Sequence, residues 1–223
     1  MASFWNNAEK NDFKAAGLGQ ITPRTEEGRA IINLLQHSED IKNIVEIGTW
    51  NGLGSTLCII HGIENKEVKF WSLECNKEKL MSAVDSLSDY IDERVMLLWG
   101  SVVDTSVITS EEYLSNFKDL KTSETLQKWF SADLSNCEVC PNILKELPDN
   151  IDFLLLDGGE FTTLYEFECL RSRCSKYIAL DDTLIDKCRE VRRRLLEDPA
   201  WTEIVSISNN GRNGFSIFKL HCR

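Results

Sequence analysis

NIVEIGTWNGLGST, residues 43–56, has the build of a strand that runs into a glycine-rich turn and then a helix. Ile44, Val45 and Ile47 surround a single acid, Glu46, and the turn supplies Gly48, Gly52 and Gly54 before Ser55 can cap a helix through Cys58 and Ile59. Glycines let a backbone approach a ligand closely, and the free N–H groups of a helix start offer donors to an anion. Such a turn is a cofactor cradle, and alone it does not say for which cofactor.

Working outward, strands and helices alternate from residue 43 onward, which predicts a parallel sheet covered on both faces. The strands are expected at 43–47, 68–73, 94–98, 151–156 and 176–180. A helix should open at Thr22-Pro23 and run to about Gln36, and residues 77–89 form a helix with Leu80, Val84 and Leu87 on one face. A further helix begins after 184 and is ended by Pro199. The segment TEIVSISNNGRNGFSIFKL then gives two short strands around a turn of Asn, Gly and Arg, a hairpin. The predicted fold class is α/β: a Rossmann-like seven-stranded sheet of five parallel strands plus a C-terminal antiparallel hairpin, with helices on both faces.

The chain has 223 residues, of which 42% are hydrophobic, and this suits a single domain, 1–223, with a core of ordinary size. Residues 1–40 make an N-terminal arm and helix, and 1–20, polar with isolated Trp5 and Phe13, form the irregular arm. With 25 basic against 36 acidic residues the net charge is −11, which repels nucleic acid and anionic membrane surfaces and favours a small or neutral substrate. No apolar run approaches the roughly 20 residues that cross a bilayer, and no signal-peptide order opens the chain, so a cytoplasmic location is expected. A homodimer stays open.

Eight cysteines are present. Cys58, Cys169 and Cys188 occupy positions where buried apolar residues belong, so reduced core thiols are the better reading. Cys137 and Cys140 have C-x-x-C spacing, but the second pair, Cys169 and Cys174, is wrongly spaced for a zinc ribbon. Residues 101–150 are long for one connection and should hold short helices at Glu111–Phe117, Glu124–Phe130 and Pro141–Leu147. Exposed Tyr113, Phe117, Trp129 and Phe130 would make this insert a lid, substrate region or partner surface; a satellite core beneath a long loop is the competing expectation.

Ligands of open α/β sheets bind at the carboxyl ends of the strands, near the point where strand order reverses. The second strand ends at Glu74, the third in Trp99-Gly100-Ser101, the fourth at Asp157-Gly158-Gly159 and the fifth at Asp181-Asp182. With these residues in place the chain resembles the class I S-adenosylmethionine (SAM)-dependent methyltransferases, and within them the small O-methyltransferases of the catechol, caffeoyl-CoA and macrocin (sugar) types. The matching segments are ITPRTEEGRAIINLL, VEIGTWNGLGS, WSLECNKEKL, FLLLDGGEF and YIALDDT. The resemblance implies that Glu46, Gly48, Thr49 and Gly52 frame the methionine part of SAM, that Glu74 binds its ribose, that Ser101 lies near the adenine, and that Asp157 also borders the cofactor. A nicotinamide enzyme of the short-chain type is disfavoured, because none of Tyr90, Tyr113, Tyr165 or Tyr177 has a lysine four residues on.

In the metal-dependent members that the chain resembles, acids at the positions of Asp157, Asp181 and Asp182 hold a divalent cation, Mg or Mn, which orients two neighbouring substrate hydroxyls. Hard cations prefer such oxygen ligands and lower the pKa of a bound hydroxyl. The resemblance therefore implies methyl transfer to a vicinal diol, with Asp182 leaning toward a sugar or glycan. The catechol type has a lysine base three residues after the first metal aspartate; Glu160 stands there instead, so the base is Asp157, Glu160 or a residue of the insert, with His61, at the far end of the first helix, the less favoured candidate. Asp181-Asp182 can alternatively cap the helix that follows. A metal-free or catechol-like O-methyltransferase, and a non-catalytic cofactor-binding module serving a protein partner, are the alternatives.

Overall fold

The computed structural model describes residues 20–208 and 211–221, so the arm expected over 1–20 lies outside the described residues except for Gln20. Seven strands form one sheet: β1 (Asn43–Ile47), β2 (Lys69–Glu74), β3 (Val95–Trp99), β4 (Ile151–Leu156), β5 (Cys174–Asp181), β6 (Trp201–Ile207) and β7 (Phe215–Leu220). The order is β3-β2-β1-β4-β5-β7-β6, with β1 to β5 parallel and β7 antiparallel to both β5 and β6. The chain thus reverses its direction of strand addition between β1 and β4, which opens a crevice at their carboxyl ends. Observed strand limits agree with the predicted ones to within a residue or two.

Alternation along the central strands divides the core in two. Ile44, Phe153, Leu155, Tyr177 and Ala179 face one side, where α1 (Glu26–His37) and α2 (Ser55–Gly62) supply Ile31, Leu35, Leu57 and Ile59. Val45, Ile47, Leu154, Leu156, Ile178 and Leu180 face the other, against α7 (Thr163–Leu170) and α8 (Asp186–Glu197). Successive strand residues point to opposite faces, so a strand buried on both sides needs apolar residues throughout, as in IDFLLL. The helix α1 starts later than Thr22-Pro23 predicts, because Thr25 is its N-cap and its side chain accepts from the Gly28 N–H at 3.2 Å. In α3 (Lys77–Ser86) the buried positions are Leu80 and Ala83, followed by Leu87 at the C-cap, whereas Val84 is exposed.

The insert corrects two expectations. Its helices are α4 (Thr105–Ile108), α5 (Glu111–Leu114) and α6 (Glu124–Val139), the last running well past Phe130, while Pro141–Leu147 is not helical. There Asn142 bridges to Ser101, and the Ile143 N–H donates to the Ser101 carbonyl at 2.9 Å. Tyr113 and Phe117 are buried rather than exposed: their rings meet at a tilt, and Phe117 stands edge-on to Phe161, as Phe130 also does; only Trp129 of the four aromatics is exposed. The Tyr113 hydroxyl donates to the Phe161 carbonyl at 2.7 Å and accepts from the Tyr165 N–H at 3.2 Å. Most of the insert is therefore an extension of the core over α7. Among the described residues no helix is long and apolar enough to cross a membrane.

Candidate active site

The carboxyl ends of the parallel strands border a cleft of about 520 Å³. One end is built by β1 and β2. Gly48, at φ +102°, lets the turn after β1 pass against β4: a β-carbon there would lie 2.1 Å from the Asp157 carbonyl oxygen. The turn then bends so that the Trp50 N–H donates to Glu74 Oε2 at 2.8 Å, while the Asn76 N–H donates to Glu74 Oε1 at 2.8 Å. Trp50 adopts φ 52°, a left-handed conformation uncommon for a bulky residue. Glu74 is thereby fixed in orientation in the cleft; the Cys75 thiol also faces Oε1 at 3.8 Å, and a diol would displace that weak donor and take the second lone pair of Oε2.

Of the residues expected to hold the cofactor, Gly48, Glu74, Ser101 and Asp157 line the cleft. Glu46, Thr49 and Gly52 do not. Glu46 is fully buried beneath the turn and accepts from the hydroxyls of Ser55, Thr56 and Ser72 at 2.6, 2.7 and 2.6 Å. Thr49 Oγ1 pairs with Ser72 Oγ at 2.6 Å, and Gly52, at φ +81°, packs against Leu87. These three shape the turn from behind. Burial pushes the Glu46 carboxyl up to about 7 in spite of its three hydroxyl donors.

The consecutive glycines after β4 admit two further carboxyls that the sequence did not announce. A β-carbon on Gly158 would meet Glu166 Oε2 at 2.5 Å, and one on Gly159 would meet Asp133 Oδ2 at 2.6 Å. Both acids line the cleft, as does Asn136, so α6 of the insert does contribute to it. Burial raises Glu166 to about 8 and raises Asp133 as well.

The other end of the cleft is the acid cluster. Asp157, Asp181 and Asp182 each bring one carboxylate oxygen within 4.8 Å of the others, as expected for neighbouring strand ends. Asp182 adopts φ 56°, so the chain is held in an unfavourable conformation as it leaves β5. The loop is tied to the β6–β7 turn by Thr183 N–H to the Gly214 carbonyl at 3.2 Å and Leu184 N–H to the Asn213 carbonyl at 2.7 Å. Asp181 Oδ1 is buried without a hydrogen-bond partner, and burial together with Asp157 and Asp182 raises this carboxyl to about 7. Glu160 stands nearby, half-buried, its carboxyl raised by burial against the pull of Lys187.

Two cations already sit on these acids. Lys187, from the first turn of α8, places Nζ 2.5 Å from Asp157 Oδ1 and 3.1 Å from Asp182 Oδ2. Arg212, from the β6–β7 turn, pairs with Asp181 Oδ2 at 2.9 Å and with Glu27 at 3.3 Å. Burial opposes the charge on Lys187, but Asp157, Asp182 and Asp181 outweigh it and hold its pKa well above the ordinary value. The three carboxylates lie close enough together for a divalent ion, but Asp157 Oδ1 and Asp182 Oδ2 already hold an ammonium between them. As arranged, the donor set does not fit a metal ion. The four cysteines considered for zinc are not assembled: Cys140 Sγ faces the Cys137 carbonyl, Cys174 Sγ the Leu170 carbonyl and Cys169 Sγ the Val102 carbonyl. Among the described residues Asp157, Asp181 and Asp182 are the one group of three placed for a metal.

No protein-family model matches the sequence, and no curated protein matches it. Solved structures do. An O-methyltransferase from Bacillus cereus in complex with SAH superposes with a TM-score of 0.63 at 16% identity, covering 97% of this chain and 90% of that one. This is the class I SAM-dependent methyltransferase fold. The SAM-bound O-methyltransferase TomG from Streptomyces achromogenes, involved in tomaymycin synthesis, superposes with a TM-score of 0.59 at 14% identity over 96% and 86% of the two chains. The SAH-bound methyltransferase PaMTH1 from Podospora anserina gives 0.56 at 16% identity over 87% and 78%. In the methyltransferase fold the crevice beside β1 and β4 described above is the strand-order reversal, the place where ligands of open α/β sheets bind.

Lys187, Arg212, Asp133 and Glu166 are the site residues that sequence reasoning missed. One signal for Lys187 was present: a lysine in the first turn of the helix that follows an acid pair can fold back on that pair.

Proposed function

We propose that the chain is a SAM-dependent methyltransferase that delivers the methyl group to a hydroxyl of a small-molecule or glycan acceptor. The observation that carries this reading is the continuity of one cleft from Glu74, a pre-oriented carboxylate suited to a ribose diol, past Gly48 to the acids at Asp157, Asp181 and Asp182. Glu74 would hold the ribose of SAM, and the acids along the same cleft would favour the positive charge of its sulfonium.

In the reaction the acceptor oxygen attacks the methyl carbon in line. The O–C bond forms as the C–S bond breaks, the sulfonium becomes the neutral thioether of S-adenosylhomocysteine (SAH), and the hydroxyl proton passes to a carboxylate. Asp157, which lines the cleft, and Glu160 beside it are the carboxylates for that proton, and burial raises the pKa of both, which suits a proton acceptor. Holding both partners in one cleft supplies much of the acceleration. Beyond Gly48 the lining includes Asp133, Asp182 and Asn213, and these carboxylates and this amide suit the hydroxyls of a sugar better than a flat phenol. The free thiols of the described cysteines suit a reducing cytoplasm.

Incubation with methyl-labelled SAM and panels of sugars, glycans and catechols, reading SAH release, tests the function. Turnover on a polyol, lost in Glu160→Gln or Asp157→Asn variants that still bind SAH, is the expected result. Cofactor binding without turnover on any acceptor would instead favour the non-catalytic module.

A further inference from the structure

We infer that the Lys187 ammonium is the resident cation of the acid cluster, standing in for a divalent metal ion and contacting the acceptor oxygen directly. The inference rests on the methyltransferase reading for its substrate, but not for its geometry. Nζ bridges Asp157 Oδ1 and Asp182 Oδ2 at 2.5 and 3.1 Å, and the side chain is only 9% exposed. It arrives from the first turn of α8, anchored beneath by Cys188 and Val191 in the core, so this position follows from the packing of the helix.

The remaining acid has a cation of its own, because Arg212 pairs with Asp181 Oδ2 at 2.9 Å. A metal ion bridging the same oxygens of Asp157 and Asp182 would lie within a few ångströms of an ammonium in a partly buried site, where like charges repel more strongly than in water. The cluster therefore holds one or the other.

An ammonium has three N–H donors. Two go to Asp157 and Asp182, and the third has no partner among the described residues. Directed into the cleft that Lys187 lines, it can donate to the acceptor oxygen and stabilise the negative charge that develops there as Glu160 or Asp157 takes the proton. That is the service a hard cation would provide, from a group the chain carries itself.

The test uses the full-length protein after treatment with a chelator and dialysis, with Mn²⁺ alone as the probe. Electron paramagnetic resonance should show wild-type protein leaving the signal of free Mn²⁺ unchanged. Lys187→Gln and Lys187→Ala should bind Mn²⁺ at least roughly tenfold more tightly than wild type, while Lys187→Arg should not. Specific Mn²⁺ binding by wild type, or folded Gln and Ala variants that gain none, would overturn the inference. Should the uncharged variants fail to fold, the wild-type titration still decides it. Calorimetry with SAH on the same samples separates the two ideas: wild type that binds neither SAH nor Mn²⁺ counts against the methyltransferase reading and leaves the lysine assignment supported.

Discussion

Gly48 and Asp157 meet at the centre of the crevice, so close that a β-carbon on Gly48 would stand 2.1 Å from the Asp157 carbonyl oxygen. Backbone faces backbone there, and neither strand end can yield, since the Asp157 N–H is itself bound to the Ile47 carbonyl at 2.9 Å. Gly48→Ala adds both this clash and the strain of φ +102°. The variant should lose roughly 2 to 4 kcal/mol of stability. Urea unfolding checks it, and a variant within about 0.5 kcal/mol of wild type would show that the turn is free to move.

Glu46 predicts a pH dependence. Its native carboxyl keeps its proton up to about 7, whereas the unfolded one releases it near 4.5. As pH rises from 4.5 to 7 the unfolded state sheds a proton that the native state retains, so stability present at low pH is lost across that window, by roughly 3 kcal/mol. Glu46→Gln removes the titration. Its stability relative to wild type should improve by that amount between pH 4.5 and 7.5, and unfolding curves that keep a constant separation would contradict the assignment.

The insert is predicted to behave as core on one side and surface on the other. Phe117→Ala opens a cavity among Tyr113, Phe161 and their neighbours and should cost about 3 to 5 kcal/mol. Trp129→Ala, at a half-exposed position on α6, should cost less than about 1 kcal/mol. Equal thermal shifts for the two would mean that the insert does not pack as described.

How far the sequence reached is plain from particular residues. Strands β1 to β5 were legible because each is a short apolar run ended by an acid or glycine, and that local signal also delivered Gly48, Glu74, Asp157, Asp181 and Asp182 at strand tips. Glu46 was legible as a position but not as a role: only the arrival of Ser55, Thr56 and Ser72 hydroxyls shows that it braces the turn from within. Tyr113 and Phe117 have no periodic context, so their burial depends on Phe161, far away in sequence. The same holds for the cations. Lys187 and Arg212 lie in a helix and a turn whose polar residues look like ordinary surface, and their partners Asp157 and Asp181 are 30 and 31 positions away. Sequence periodicity reports which face of an element is buried, and it does not report which charge another element brings to that face.

Calorimetric titration of SAH into wild type and Glu74→Ala tests the central claim, that the cleft between β1, β2 and β4 is a SAM site, most directly. Wild type should bind one SAH per chain, and the variant, still folded by circular dichroism, should bind at least about 30-fold more weakly through loss of two charge-assisted hydrogen bonds. Absence of binding by wild type, or undiminished affinity in the folded variant, would contradict it.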